Sequence, residues 1–186
     1  MNVYDFDKTV FYPDSSYKFF LYCLKRHPGT VLRFSPGALA ASLRYAFGVI
    51  GAKALKEKLF AFLRCVNDPQ KLVVDFWDEH FSGIEEWYLR QRKPDDLIIT
   101  ASPEFLVGEA GRRLGTAVIG TRMDIRSGRI EGENCHDTEK VLRFRAAFPE
   151  TEINAFYSDS LSDTPLAEIA ERAYMVKRGK LSVWQC

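Results

Sequence analysis

Asn2-Val3-Tyr4-Asp5-Phe6-Asp7-Lys8-Thr9 opens the chain with a short apolar run that stops in a cluster of polar residues. Val3 and Tyr4 suit a buried strand, and the acidic residues then fall at its carboxyl end. Residues two apart on extended backbone point the same way, so Asp5 and Asp7 can face one cavity. Two bare carboxylates that close repel each other and raise one pKa, unless a cation or a proton sits between them. The pair predicts either a divalent ion or a division of roles into nucleophile and acid. A polar loop with a helix-capping Asp is the plainer alternative.

Outward from this strand the pattern turns helical from Asp14 to Arg92. Asp14, Ser15 or Ser16 can cap a helix over Tyr17 to Arg26, which His27-Pro28-Gly29 ends. Ser35-Pro36 reads as an N-cap with Pro at the first helical position. Ala52 to Val66 continues with Leu55, Leu59, Phe62 and Leu63 on one face. Asp68-Pro69 starts a helix through Phe81, and Ile84 to Arg92 makes one more.

After Pro94, strands and helices alternate. Strands are expected at Leu97–Thr100, Thr116–Gly120, Ile153–Tyr157 and, last, Ala173–Val176. Helices are expected from Ser102 to near Gly115, over Thr138–Phe148 and over Asp163–Arg172. Arg122 to Glu131 looks like a hairpin turning at Ser127-Gly128. The alternation predicts an α/β fold, a doubly wound parallel sheet with ligands at the carboxyl ends of its strands. Roughly eighty helical residues are too many for one crossover, so 14–92 is expected to form a helical cap over a core made of 1–13 and 93–186.

Composition narrows the function. The 186 residues are 46% hydrophobic and 27% charged, which provides one ordered domain. A net charge of +1, without a basic half, argues against nucleic acid as the main partner. Cys23, Cys65, Cys135 and Cys186 lie far apart, with no zinc or redox spacing, and read as reduced thiols of a cytosolic protein. No basic segment followed by an apolar stretch opens the chain, and Ser35 to Ala52 is too short to span a bilayer.

Two further groups sit at predicted strand ends, and a lysine lies near a predicted helix start. Asp159 and Asp163 form a second acidic pair in Ser158-Asp159-Ser160-Leu161-Ser162-Asp163. Asp163 is equally a good N-cap for the helix that follows. Hard carboxylate oxygens without Cys or His suit Mg²⁺ rather than zinc. Thr100-Ala101-Ser102 runs into a helix N-terminus, where hydroxyls and free N–H groups make a phosphate cradle. There Ser102 reads as the cap and Thr100 as the phosphate ligand. Lys140 taken alone reads as a solvated helical lysine.

Together, Asp5-x-Asp7-x-Thr9, Thr100, Lys140 and Asp159-x-x-x-Asp163 resemble, in order, the four motifs of the haloacid dehalogenase (HAD) superfamily. Ile99-Thr100-Ala101-Ser102-Pro103-Glu104 and Asn134-Cys135-His136 resemble its phosphoserine-phosphatase-type branch, subfamily IB, which carries a helical cap between the first two motifs. The resemblance implies a HAD-like core with a C1-position cap, and a Mg²⁺-dependent phosphomonoester hydrolase. Asp5 would be the nucleophile that carries an aspartyl-phosphate, and Asp7 the acid and base. Thr9, Thr100, Ala101 and Lys140 would hold phosphate; Asp5, the Asp7 carbonyl, Asp159 and Asp163 would hold or support the metal. Ser158 departs from the Gly that many relatives have before the metal Asp.

The substrate belongs to the cap. A small soluble phosphomonoester is expected first, a lipid phosphate second and phosphoserine third; some IB relatives act on phosphatidylglycerophosphate with a cap of similar length and apolar character. Asp14 falls where phosphoserine phosphatases place an acid that meets the substrate amine, and it suits a helix cap equally. Cap aromatics at helical spacing read mainly as core. Arg26, Arg33, Arg44, Lys53, Lys56 and Lys58 make the segment locally basic, which extends the expectation to peripheral membrane contact through the cap. The protein is expected to be a monomer or dimer. A phosphotransferase and a non-catalytic phosphate-binding module are the readings from other classes.

Overall fold

The structure, a computed structural model, describes residues 1–185; Cys186 lies outside the described residues. Strand β1 (Asn2–Tyr4) pairs in parallel with β2 (Leu97–Pro103) on one side and β4 (Ala155–Ser158) on the other. With β3 (Ala117–Thr121), β5 (Ala173–Lys177) and β6 (Lys180–Val183), the sheet order is β3-β2-β1-β4-β5-β6. Five strands run parallel. β6 is an antiparallel edge added through a turn at Arg178-Gly179, both left-handed, so Ala173–Val176 is not the last strand.

Between β1 and β2 lie α1 (Ser15–Arg26), α2 (Pro28–Ala46), α3 (Ala52–Phe60), α4 (Pro69–His80) and α5 (Glu86–Gln91). The rest of the chain adds α6 (Glu104–Leu114), α7 (Thr138–Ala147) and a short α8 (Thr164–Glu168).

Alternation along the central strands sorts the side chains onto two faces. Tyr4 and Ile98 turn to one face, where Phe19, Phe76, Trp77 and Leu106 bury with them. Val3, Leu97 and Ile99 turn to the other, against Phe144, Phe156 and Leu166. Both faces are covered, as parallel strands require. The inserted helices share the first cluster with the sheet: Trp77 is fully buried and its indole donates to the Leu106 carbonyl at 2.8 Å. Truncating it to Ala costs about 3–5 kcal/mol by cavity formation.

Several local expectations are corrected. α2 begins at Pro28 and runs through Pro36, so Ser35-Pro36 starts no helix. Proline removes the N–H that would reach the Leu32 carbonyl, and the Ser35 hydroxyl donates to that carbonyl instead, at 2.8 Å. Helix α3 stops at Phe60 and tightens into a 3₁₀ turn over Ala61–Cys65. The expected hairpin in 122–131 is present but short: one antiparallel bridge, Met123 to Ile130, with the Glu131 amide donating to the Arg122 carbonyl at 2.8 Å. This loop is pressed against α3. Gly128 has φ +70°, and a Cβ there would stand 2.4 Å from the Phe60 carbonyl oxygen. The Ile130 amide donates to Glu57 at 3.0 Å.

Cys23 and Cys135 are buried free thiols, and burial pushes both up so that they stay protonated; Cys65 is free and exposed. Among the described residues, no helix is long and apolar enough to cross a membrane.

Candidate active site

The carboxyl ends of β1, β2 and β4 meet at one mouth. Asp5 follows β1 directly, and its amide extends the ladder by donating to the Tyr157 carbonyl at 2.8 Å. The chain then reverses at Lys8, whose φ of +59° is left-handed. A cleft of about 410 Å³ opens here. Its core wall carries Asp5, Asp7, Thr100, Ala101, Lys140, Asp159 and Asp163; its opposite wall carries Asp14, Ser16, Tyr45 and Lys56 from the inserted helices. A larger hollow of about 620 Å³ lies between α6 and the 122–131 loop, but its Arg112 is already committed to Glu109. Chemistry, not size, selects the acidic cleft.

Lys140 is buried, contrary to the solvated reading. Its Nζ donates to Asp5 Oδ1 at 2.7 Å and to Asp163 Oδ2 at 2.8 Å. An isolated ammonium could not persist at such depth, so the two carboxylates account for its position. Asp163 also accepts from the Ser158 hydroxyl at 2.6 Å. Its side chain makes no cap bond to α8, so the capping reading is corrected. Ser158 in turn accepts from the Ser160 amide at 3.2 Å and thereby shapes the loop that carries Asp159.

Asp7 is held by different partners. The Ser15 amide donates to Oδ1 at 2.6 Å, and the Ser102 hydroxyl donates to Oδ2. Ser102 is not the cap of α6, which Pro103 precedes; it is the residue that orients Asp7. The Ser102 amide donates to the Thr100 hydroxyl at 3.1 Å. Burial raises Asp7 to about 6, with Asp14 adding to the rise and the Ser102 and Ser15 bonds opposing it. Burial likewise raises Asp5 to about 7; Lys140 pulls it down, while Asp163 and Asp7 push it up. Asp159 is raised by burial, against Lys8 and Lys177.

Asp14 caps α1 by accepting from the Tyr17 amide at 2.8 Å, and it also lines the cleft. Thr9 does not: the reversal at Lys8 turns it inward, where its hydroxyl is buried and unpartnered. The structure therefore brings together every predicted site residue except Thr9.

Lys56 was not singled out. Its Nζ donates to the Ala101 carbonyl at 2.6 Å and to Asn134 Oδ1 at 2.7 Å, which ties α3 to the Thr100-Ala101-Ser102 loop. Burial brings it down to about 8, although Asp7 and Asp14 hold it up. Nothing local in the sequence separates it from Lys53 and Lys58.

Among the described residues, no three Asp, Glu, His or Cys side chains converge as a metal cluster. Mg²⁺ does not demand one, since it commonly takes one or two carboxylates and keeps several waters. The donors fit it: oxygen ligands only, on carboxylates that burial raises.

A doubly wound α/β sheet with a carboxylate nest at its strand ends and a helical insertion after β1 defines a hydrolase class. The chain belongs to the haloacid dehalogenase-like hydrolase family, whose model matches residues 3–168. It is 31% identical to Protein CicA of Caulobacter vibrioides over 95% of this chain and 86% of that one. A protein of unknown function from Bordetella pertussis Tohama I shares the fold with a TM-score of 0.74 at 23% identity, over 93% of this chain and 87% of that one. A phospho-aspartyl intermediate analogue of phosphoserine phosphatase shares it with a TM-score of 0.56 at 13% identity, over 92% and 83%.

Proposed function

We propose that the protein is a Mg²⁺-dependent phosphomonoester hydrolase that works through an aspartyl-phosphate on Asp5. The observation that carries this reading is the division between the two buried carboxylates two residues apart. Asp5 is paired with a lysine ammonium, whereas Asp7 is held by a serine hydroxyl and a backbone amide. The first arrangement sets positive charge beside the attacking carboxylate, to which a bound Mg²⁺ would add; the second leaves a carboxylate with no cation bonded to it, able to carry a proton near neutral pH.

Asp5 attacks phosphorus and forms the P–O bond while the ester oxygen departs. Asp7 gives that oxygen its proton, then takes one from the water that cleaves the acyl-phosphate. Lys140 and the Thr100 hydroxyl steady the phosphoryl oxygens, and Ser102 and Ser15 keep Asp7 aimed. Asp5, Asp159 and the Asp7 carbonyl, with Asp163 in support, would hold Mg²⁺, which would supply positive charge against the phosphoryl group. Phosphoryl transfer asks mainly for such positioning and neutralisation.

The cleft lining is mostly polar, with Tyr45 and the His136 imidazole as its aromatic side chains among the described residues. That favours a small, polar, soluble phosphomonoester. The test is turnover on a panel of soluble and lipid monoesters with Mg²⁺ and with EDTA, joined to acid quenching and peptide mass spectrometry. Phosphate release that requires Mg²⁺, with a phosphoryl adduct on the Asp5 peptide, is expected. Full activity of Asp5→Asn would refute the mechanism.

A further inference from the structure

Helix α2 has an apolar face on each side. Val31, Phe34, Ala38 and Ala41 turn inward and pack. Leu32, Leu39 and Leu43, spaced seven and four apart, share the opposite face and are 56%, 65% and 55% exposed. The row continues past the helix end into Phe47, the most exposed large hydrophobic side chain of the described residues at 82%, and Val49 at 60%. Scattered surface leucines need no explanation, but a continuous row along one helix and its exit loop does.

The charge around this row decides what covers it. From Ser15 to Lys56 the chain has Lys18, Lys25, Arg26, Arg33, Arg44, Lys53 and Lys56, and not one Asp or Glu. Over the whole protein the signs balance at +1, so the basic excess is concentrated here. Arg33 and Arg44 lie on α2 at the flank of the leucine row, exposed and without an ion-pair partner among the described residues. A second copy docking face to face would bring these cations against their own kind, which disfavours a homodimer there. A surface that is apolar within and anionic at its border fits both features at once.

We propose that the outer face of α2 and the following loop dock on anionic lipid bilayers. Leu32, Leu39, Leu43 and Phe47 would enter the headgroup–acyl boundary, with Arg33 and Arg44 meeting lipid phosphates. This is attachment in the plane of the surface, consistent with the lack of a spanning helix among the described residues. Tyr45, two residues past Leu43 and so on the other side of α2, lines the cleft, which leaves the docking face and the cleft on opposite sides of one helix. The proposal concerns the outer face and holds whichever phosphomonoester the cleft takes.

The experiment is co-sedimentation of the full chain with vesicles of phosphatidylcholine alone, or of equal parts phosphatidylglycerol and phosphatidylcholine. Binding to the anionic vesicles and little to the neutral ones is expected. Leu39→Asp with Leu43→Asp should abolish it. Arg33→Glu with Arg44→Glu should lower partitioning by about tenfold or more, and added salt should weaken the parent similarly. These positions are exposed, and circular dichroism melts checks that each variant folds. Phe47→Trp gives a second measure, with emission shifting to the blue on anionic vesicles only. Turnover of p-nitrophenyl phosphate in free solution should stay within about twofold in all of them, since none lines the cleft. Equal binding to both vesicle types, no binding to either, or a dimer in sedimentation equilibrium that Leu39→Asp dissolves would each overturn the proposal.

Discussion

Two lysines enter one cleft from opposite walls and are held by opposite means. Lys140, on the core side, lies between the carboxylates of Asp5 and Asp163. Burial pulls its proton affinity down, but the two carboxylates outweigh burial and hold it above an ordinary lysine. Lys56, on the inserted side, meets only a carbonyl and an amide oxygen, and burial brings it down to about 8. On the core wall charge answers charge, so removing one member strands the others. On the inserted wall the ammonium has no carboxylate within hydrogen-bonding distance, and its charge is available to an anion entering the cleft.

The largest test of this contrast is Lys140→Met. It leaves two buried carboxylates without their cation, at an expected cost of about 3–5 kcal/mol in denaturant unfolding. Turnover should fall by about 10³-fold. Ser158→Ala probes the same wall more gently. Asp163 loses its 2.6 Å partner, and unfolding should register about 1–2 kcal/mol with Lys140 still in place. For Lys56→Met the stability change should stay under about 1 kcal/mol. The Thr121 hydroxyl has one proton to give to either Ala101 or Asn134, and both acceptors are only half-buried, so the other can turn to water. Turnover should nonetheless drop about tenfold, chiefly through KM, as expected where a binding charge is lost. A stability loss for Lys56→Met as large as that for Lys140→Met would erase the distinction.

The smallest effect is a slope. Between about 8 and 10.5 the unfolded chain keeps the Lys56 proton and the folded chain has released it. The unfolded state then binds more protons, so this group makes stability rise with pH through that window. Unfolding free energies of the parent and Lys56→Met across the window should diverge in slope, with the variant flatter. Parallel curves would show that Lys56 is not strained by burial.

Most of the core wall was legible because its residues sit at strand ends, where alternation and spacing fix direction. Asp5, Asp7, Thr100 and Asp159 follow from that rule alone. Lys140 needed the family resemblance, since helical spacing could not show that Asp5, 135 residues away, buries it. Ser102 was misread because a serine before a helix usually caps it; tertiary contact with Asp7 took precedence. The turn at Lys8 was invisible, and with it the inward rotation of Thr9. Lys56 and Asn134 were illegible for a related reason: their bond joins segments 78 residues apart and leaves no local period. Pro36 looked like a helix start, and only the Ser35 hydroxyl on the Leu32 carbonyl explains why α2 runs through it.

Gly128 carries a consequence for how this enzyme can change. Its bare α-carbon lets the 122–131 loop press against the Phe60 carbonyl, just past the turn of α3 that carries Lys56. The loop therefore works as a shim between the two walls of the cleft. Thickening it by one methyl group would lift α3 and draw Lys56 away from Ala101, widening the cleft without altering any residue that lines it. Selection for a wider cleft has there a mechanical dial, separate from the side chains around Asp5.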